Sequence, residues 1–209
     1  MRSAIIILEK YMALKTAFLI FNKVAELDFA GPWEVFGASA FINRNGDTFF
    51  TVAETDEPVV GQSGLKIIPE YTFTNMPEAD IIIVPGLVDP MPITQNENIM
   101  NWIKEMSAKT KWNVGVCTGS VLIAAAGVAK GKRISSHWTA IETLEGFADL
   151  TVVRNVRYVR DGNLVTSAGV TAGIDMAIWL MGQIYGVQHA RDIMRLLEYY
   201  PAPPYAADV

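Results

Sequence analysis

The chain has one cysteine, Cys117, and it stands where an apolar strand should turn into a helix. Lys111 to Val116 reads as a short strand ending in the thiol. Thr118-Gly119-Ser120 follows, and Val121 to Gly127 reads as a buried helix. A thiol in such an elbow points out of the carboxyl edge of a sheet, above the free N–H groups of the helix's first turn. Those N–H groups and the helix dipole favour a thiolate, and they can also hold a developing anion. The pattern predicts a reactive cysteine. A small buried hydrophobe is the other role open to a lone cysteine.

Other residues could serve that thiol. The loop predicted after the first strand, Asn22 to Pro32, carries Glu26 and Asp28. A carboxylate beside a thiol can take its proton and return it elsewhere. Asp28 is equally suited to cap the helix that follows, and the residues leave both roles open. Glu26 reads as a solvated loop residue. Pro85-Gly86-Leu87 ends another apolar strand. A glycine there lets the main chain approach a ligand and aim N–H groups at it, although an ordinary turn would look the same. His137 opens a predicted helix and could orient or protonate a group near the thiol, or serve as a capping or core histidine. His189 is given no role. Gly169-Val170-Thr171-Ala172-Gly173 lacks the Lys-Ser/Thr ending of a phosphate loop and reads as a tight turn near the site. There is no Gly-x-Ser-x-Gly elbow and no His, Asp and Glu cluster with metal-ligand spacing.

The elements that must position these residues alternate between strand and helix. Thr16 to Phe21, Phe49 to Thr55 and Asp80 to Val84 read as strands, the first and last apolar enough to be buried on both faces. A helix is expected to open at Ala30 with Pro32 in its first turn. Another is expected over Asn96 to Thr110, where Ile99, Trp102, Ile103 and Met106 recur at helical spacing. Lys132 to Ser136 reads as a short strand, with Ser135 or Ser136 capping a helix over His137 to Phe147. Val59 to Phe73 and Thr151 to Ala168 read as hairpins, the second turning at Asp161-Gly162-Asn163. Ile174 to Tyr185 and Val187 to Tyr199 are the last two helices, separated at Gly186. Met176, Trp179 and Met181 look like core. The alternation predicts an α/β three-layer fold around a mostly parallel sheet with added β-hairpins, and ligands in such folds bind at the carboxyl ends of the strands.

Composition narrows the function classes. With 209 residues, 51% hydrophobic and 19% charged, the chain can bury a full core without staples. No linker divides it, so residues 12–209 are expected to form one domain. Residues 1–11 precede a second methionine, Met12, and read as an N-terminal extension or as a first edge segment. The net charge of -5 argues against a nucleic-acid surface. No apolar run is long and charge-free enough to span a bilayer, and no signal peptide is seen. A lone cysteine fits a reducing, cytoplasmic setting.

Val116-Cys117-Thr118-Gly119-Ser120, with Leu27-Asp28-Phe29-Ala30-Gly31-Pro32 upstream, resembles the ThiJ/PfpI superfamily, the class I glutamine amidotransferase-like proteins. Ser136-His137-Trp138, Val159 to Thr166, Gly169 to Asp175 and the tail from Leu197 to Tyr205 resemble its isonitrile hydratase branch. The resemblance implies a flavodoxin-like sandwich, a homodimer, a nucleophile at Cys117 and an acid/base carboxylate at Asp28. It puts Thr118 at the site, with Gly86, Leu87, Gly119 and His137 expected around the substrate or its anion. It implies a small-molecule substrate and no metal or organic cofactor. Two departures stand out. Many superfamily hydrolases have His after the cysteine, where this chain has Thr118, which argues against protease or amidase activity. The strand-end turn is often Pro-Gly-Gly; Leu87 here keeps its backbone N–H, but its side chain is expected to narrow the pocket or strain the turn. The same segments also resemble the amino-terminal half of AraC-type regulators. A glyoxalase-like or redox stress protein of the superfamily is a further alternative.

Overall fold

The structure is a computed structural model that describes residues 13–201; the N-terminal extension and the tail beyond Pro201 lie outside the described residues. In chain order the elements are β1 (Lys15–Leu19), α1 (Glu26–Asn43), β2 (Thr48–Ala53), β3 (Val59–Val60), β4 (Lys66–Ile67), β5 (Tyr71–Thr72) and β6 (Ile81–Val84). They continue as α2 (Met91–Thr94), α3 (Glu97–Lys109), β7 (Trp112–Val116), α4 (Gly119–Ala125) and β8 (Arg133–Ile134). A 3-10 turn (Trp138–Ala140), α5 (Ile141–Glu145), β9 (Thr151–Val152), β10 (Tyr158–Asp161), β11 (Leu164–Ser167), α6 (Thr171–Tyr185) and α7 (Val187–Leu196) complete them.

Seven strands form the central sheet in the order β10-β11-β7-β6-β1-β2-β5. Only the β10–β11 pair is antiparallel. Ile81, Ile82, Ile83 and Val84 are fully buried, as a continuous apolar run between two helical layers should be. Helices α1, α6 and α7 pack on one another, and α2 to α5 form a second packed group. This is the α/β, flavodoxin-like arrangement with a mostly parallel sheet. The chain runs from β1 outward to β2 and then returns to place β6 on the other side of β1. The carboxyl ends of β1 and β6 therefore flank a topological switch point, where loops diverge and leave a crevice.

Several boundaries differ from the sequence expectation. Helix α1 starts at Glu26, four residues before Ala30, so Asp28 lies in its first turn and Pro32 in its second. Acidic residues at Glu26 and Asp28 suit the positive end of the helix. The cap position is Ala25, which offers no side-chain bond. Strand β8 is not in the central sheet; it pairs in parallel with β9. The hairpin expected over Thr151 to Ala168 is confined to β10 and β11, and that over Val59 to Phe73 to β3 and β4, with β5 joining the sheet edge. The helix expected after His137 is a 3-10 turn followed by the five-residue α5, and α7 stops at Leu196.

Candidate active site

The elbow begins with the end of β7. Cys117 N–H donates to the Ser167 carbonyl on neighbouring β11 at 3.1 Å, carrying the ladder one residue past Val116. The chain then turns sharply, and Cys117 takes φ 59°, a left-handed conformation that costs a non-glycine residue about 1–2 kcal/mol. Its carbonyl is held by three donors. Ser120 N–H and Oγ donate at 3.3 and 2.8 Å, and Ser136 Oγ donates at 2.9 Å. Ser135 N–H meets Thr166 Oγ1 at 2.9 Å. Neither serine caps a helix; that place is taken by His137, whose side chain accepts from Thr139 N–H.

Gly169 completes the elbow from the far side. It has φ 95°, and a Cβ added there would lie 2.6 Å from the Cys117 Cα and 2.7 Å from its Sγ. Only a glycine lets the β11–α6 turn lie against the thiol. Cys117 itself is 7% exposed.

Asp28 is fully buried beside it. Its Oδ2 accepts the Gly86 N–H at 3.1 Å and its Oδ1 accepts the Val170 N–H at 2.8 Å. The carboxylate thus joins the turn after β6 to the turn before α6, and it does not cap its own helix. Val170 reaches Asp28 by adopting φ 49°, ψ −108°, a strained conformation for a β-branched residue. The Gly86 position is closely walled: a Cβ there would lie 2.5 Å from Thr118 Oγ1, 2.6 Å from Thr118 N and 3.0 Å from Asp28 Oδ2. The space expected for a ligand at this glycine is filled by the protein's own polar groups.

Thr118 locks the same turn. Its Oγ1 donates to the Leu87 carbonyl at 2.6 Å and accepts the Leu87 N–H at 2.8 Å. The N–H groups of Gly86 and Leu87, expected to face a developing anion, are therefore already bonded within the protein. Gly119 packs against the end of β6, where an added Cβ would lie 2.7 Å from the Pro85 carbonyl oxygen. The N–H of Thr118 acts on the Cys117 sulfur. His137 is half-buried, with Nδ1 2.8 Å from Thr139 Oγ1.

Electrostatics reverses one expectation. Burial first, and then the negative charge of Asp28, push the Cys117 thiol up to about 12, against the pull of the Thr118 N–H and hydroxyl. The resting sulfur is a protonated thiol, because it is buried and a negative carboxylate lies beside it. Burial also raises Asp28 above the usual carboxylate range, opposed by the Val170 and Gly86 N–H groups, the Cys117 thiol and His137. The two side chains meet at one turn: Gly169 lies against the Cys117 sulfur, and the next residue, Val170, is bonded through its N–H to Asp28. A pair that shares one proton and one negative charge can move that proton from sulfur to carboxylate as the sulfur attacks.

The sequence assigns Ser136 no site role, and it places Gly169-Val170 in a tight turn near the site without indicating that Val170 bonds Asp28. Glu26 is not merely solvated: its Oε1 accepts the Ser63 N–H at 2.6 Å and anchors the β3–β4 hairpin beside the site. Among the described residues, no group of three or more His, Cys, Asp or Glu is placed to hold a metal ion, and no helix is long and apolar enough to cross a membrane.

Comparison with known proteins adds to this geometry. The model of the DJ-1/PfpI family matches residues 14–183. Isonitrile hydratase of Pseudomonas putida is 37% identical over 194 residues, covering 93% of this chain and 82% of that protein. The crystal structure of a ThiJ/PfpI family protein from Pseudomonas syringae superposes with a TM-score of 0.87 at 30% identity, covering 95% of this chain and 81% of that one. The HTH-type transcriptional regulator CdhR of Pseudomonas aeruginosa is 29% identical over 134 residues, which are 64% of this chain but only 39% of the regulator.

Proposed function

The chain belongs to the DJ-1/PfpI family, and from that premise we propose that it hydrates isonitriles to N-substituted formamides, with Cys117 as nucleophile and Asp28 as its acid/base partner. The observation that carries this reading is a single elbow thiol and a fully buried carboxylate, Asp28, brought to the same Gly169–Val170 turn. The 37% identity to isonitrile hydratase over nearly the whole chain supports the substrate class.

The isonitrile's terminal carbon is electrophilic toward a soft sulfur. As the Cys117 sulfur bonds to that carbon, Asp28 takes the thiol proton and then delivers it to the same carbon. The product is a thioimidate, in which the sulfur is bonded to a CH that is doubly bonded to nitrogen. Water adds to this carbon while Asp28 accepts one of its protons and passes it to the nitrogen, leaving a tetrahedral carbon that bears a hydroxyl and the sulfur. The carbon–sulfur bond then breaks, Asp28 carries the hydroxyl proton to the departing sulfur, and the formamide leaves. One water is added in total, and nothing is oxidised or reduced. Asp28 suits both directions because its raised pKa makes it a competent acid once protonated. With Gly86 and Leu87 N–H groups committed to Asp28 and Thr118, the roles left to this chain are proton transfer and shape. Thr118 fixes the turn, and its N–H steadies the sulfur.

The test is formamide production from an aromatic and an aliphatic isonitrile, followed by mass spectrometry, with Cys117→Ala as control. Cysteine-dependent turnover is expected, and appreciable turnover by the Ala variant would overturn the mechanism. The similarity to regulators favours a second reading, a ligand-sensing domain, in which isonitriles or their analogues bind without turnover. A peroxide-sensing thiol fits less well, because such a sensor needs a low-pKa thiolate.

The same reading takes residues 12–209 as one domain acting in the cytoplasm as a homodimer. Leu65 and Ile68 are exposed beside a cleft lined by Phe29 and Trp33, an apolar surface that a second copy would cover.

A further inference from the structure

Val170 N–H reaches Asp28 only because Val170 is held in a backbone conformation that valine disfavours. Such strain persists where the surroundings over-determine it. One residue, Arg157, holds both flanks of this turn, one through its main chain and the other through its side chain. Its main-chain carbonyl accepts the Ala168 N–H at 2.8 Å, two residues before Val170. Its guanidinium reaches the first turn of α6, just after Val170. Nη1 and Nη2 lie 3.4 Å from Thr171 Oγ1, and Nε donates to Asp175 Oδ2 at 2.6 Å. Thr171 and Asp175 are four residues apart and share a helix face. Tyr199, just beyond α7, donates its hydroxyl proton to the other oxygen of Asp175 and fixes that carboxylate from behind.

We propose that Arg157 is a positioning residue for the Cys117–Asp28 pair: by bracing the Gly169–Val170 turn against Thr171 and Asp175, it keeps the Val170 N–H on Asp28 and so sets the pH at which the pair takes up a second proton. The inference rests on the reading of Cys117 and Asp28 as the reacting pair. The planar fork fixes orientation: Nε and Nη2 both engage Asp175 while Nη1 and Nη2 lie beside Thr171, a geometry that lysine's rotatable ammonium does not set. The groups facing Asp28 are the Cys117 thiol from the elbow, the Gly86 N–H from the turn after β6, the Val170 N–H from the turn before α6, and His137. Of these, only the Val170 N–H is held through Arg157.

The pH profile of Cys117 alkylation by iodoacetamide reads this without relying on any substrate. While the pair holds one proton, the form with the proton on Asp28 and the charge on sulfur is a constant fraction, so the rate is flat with pH. It falls on the acid side as the second proton is taken up. Losing an N–H donor to the carboxylate moves that fall to higher pH. Two conservative variants separate positioning from charge. Arg157→Lys keeps the cation and loses the fork. Asp175→Asn removes a negative charge, which by charge alone would move the fall to lower pH. Both are expected to move it upward by about half a pH unit, a roughly threefold slower reaction below the midpoint. The thermal midpoint should stay near that of the wild type, because exposed ion pairs contribute little to stability. Arg154→Met, which breaks a surface pair with Glu145, serves as control. If Asp175→Asn moves the fall downward or leaves it in place, the proposal is wrong, whatever Arg157→Lys does, including failing to fold. Asp28→Asn separates the two levels of the argument. If the acid-side fall survives in that variant, the pair itself has been misread and the proposal falls with it. If the fall vanishes there but stays put in both conservative variants, only the role of Arg157 is refuted.

Discussion

Replacing Gly86 with alanine adds a single methyl group at the most crowded point of the site. Gly86 is not among the residues in positive φ, so alanine meets no backbone penalty there and the effect is one of space. The new Cβ would stand 2.5 Å from Thr118 Oγ1 and 2.6 Å from Thr118 N, where ordinary contact begins at 3.4 Å. About an ångström of movement is needed, and neither neighbour can supply it freely. Thr118 Oγ1 is bonded twice to Leu87, and Thr118 N belongs to the start of α4. Either Thr118 rotates and gives up both bonds, or the turn after β6 shifts and takes the Gly86 N–H away from Asp28. Overpacking of this kind costs about 1–3 kcal/mol. In a chain of this length that lowers the thermal midpoint by roughly 3–10 °C. A misplacement of about an ångström also costs a reaction on the order of 100-fold. The assays are thermal unfolding and isonitrile turnover, with Gly127→Ala as comparison. Gly127 has φ 79° and open space around its would-be Cβ, so alanine there should cost about 1 kcal/mol and leave turnover unchanged. A Gly86→Ala protein that melts with the wild type and turns over at the wild-type rate would refute the packing argument.

Other outcomes follow from the charges. In Asp28→Asn the thiol should titrate below about 12, because the neighbouring negative charge is gone, and ultraviolet titration of the thiolate reads this directly. That variant should lose turnover and about 1–3 kcal/mol of stability, since the amide nitrogen must face one of two N–H donors; unchanged unfolding would contradict the two-bond geometry. His189 is buried, with Nε2 2.7 Å from Ser39 Oγ, and desolvation lowers its pKa from 6.5. The unfolded chain therefore binds the proton more readily, so stability is full above pH 6.5 and declines as the pH falls through the folded value. Denaturant unfolding across pH 5 to 8 should show that decline, and His189→Gln should flatten it.

Much of the fold could be read from local pattern. The run Ile81 to Val84 has to be buried on both faces, and the Asp161-Gly162-Asn163 turn joins two pairing strands. The start of α1 is not legible in the sequence: Gly31-Pro32 looks like a helix opening, while no cap residue marks the real start at Glu26. Helix α5 is shorter than its pattern suggests, because the segment from His137 to Phe147 offers helical spacing but its first turn is 3-10 and no strong end signal precedes Gly146.

The sequence by itself determined where a thiol would meet a turn, since strand, cysteine, small residues and apolar helix are neighbours in the chain. It also determined the α/β class, because the periodicity of buried side chains is local. The tertiary structure alone decided the state of that thiol. Asp28 is bonded to Gly86, 58 residues away, and to Val170, 142 residues away. No local spacing encodes those contacts. They hold a carboxylate beside a buried thiol, and burial of the sulfur, with that negative charge next to it, keeps the proton on sulfur.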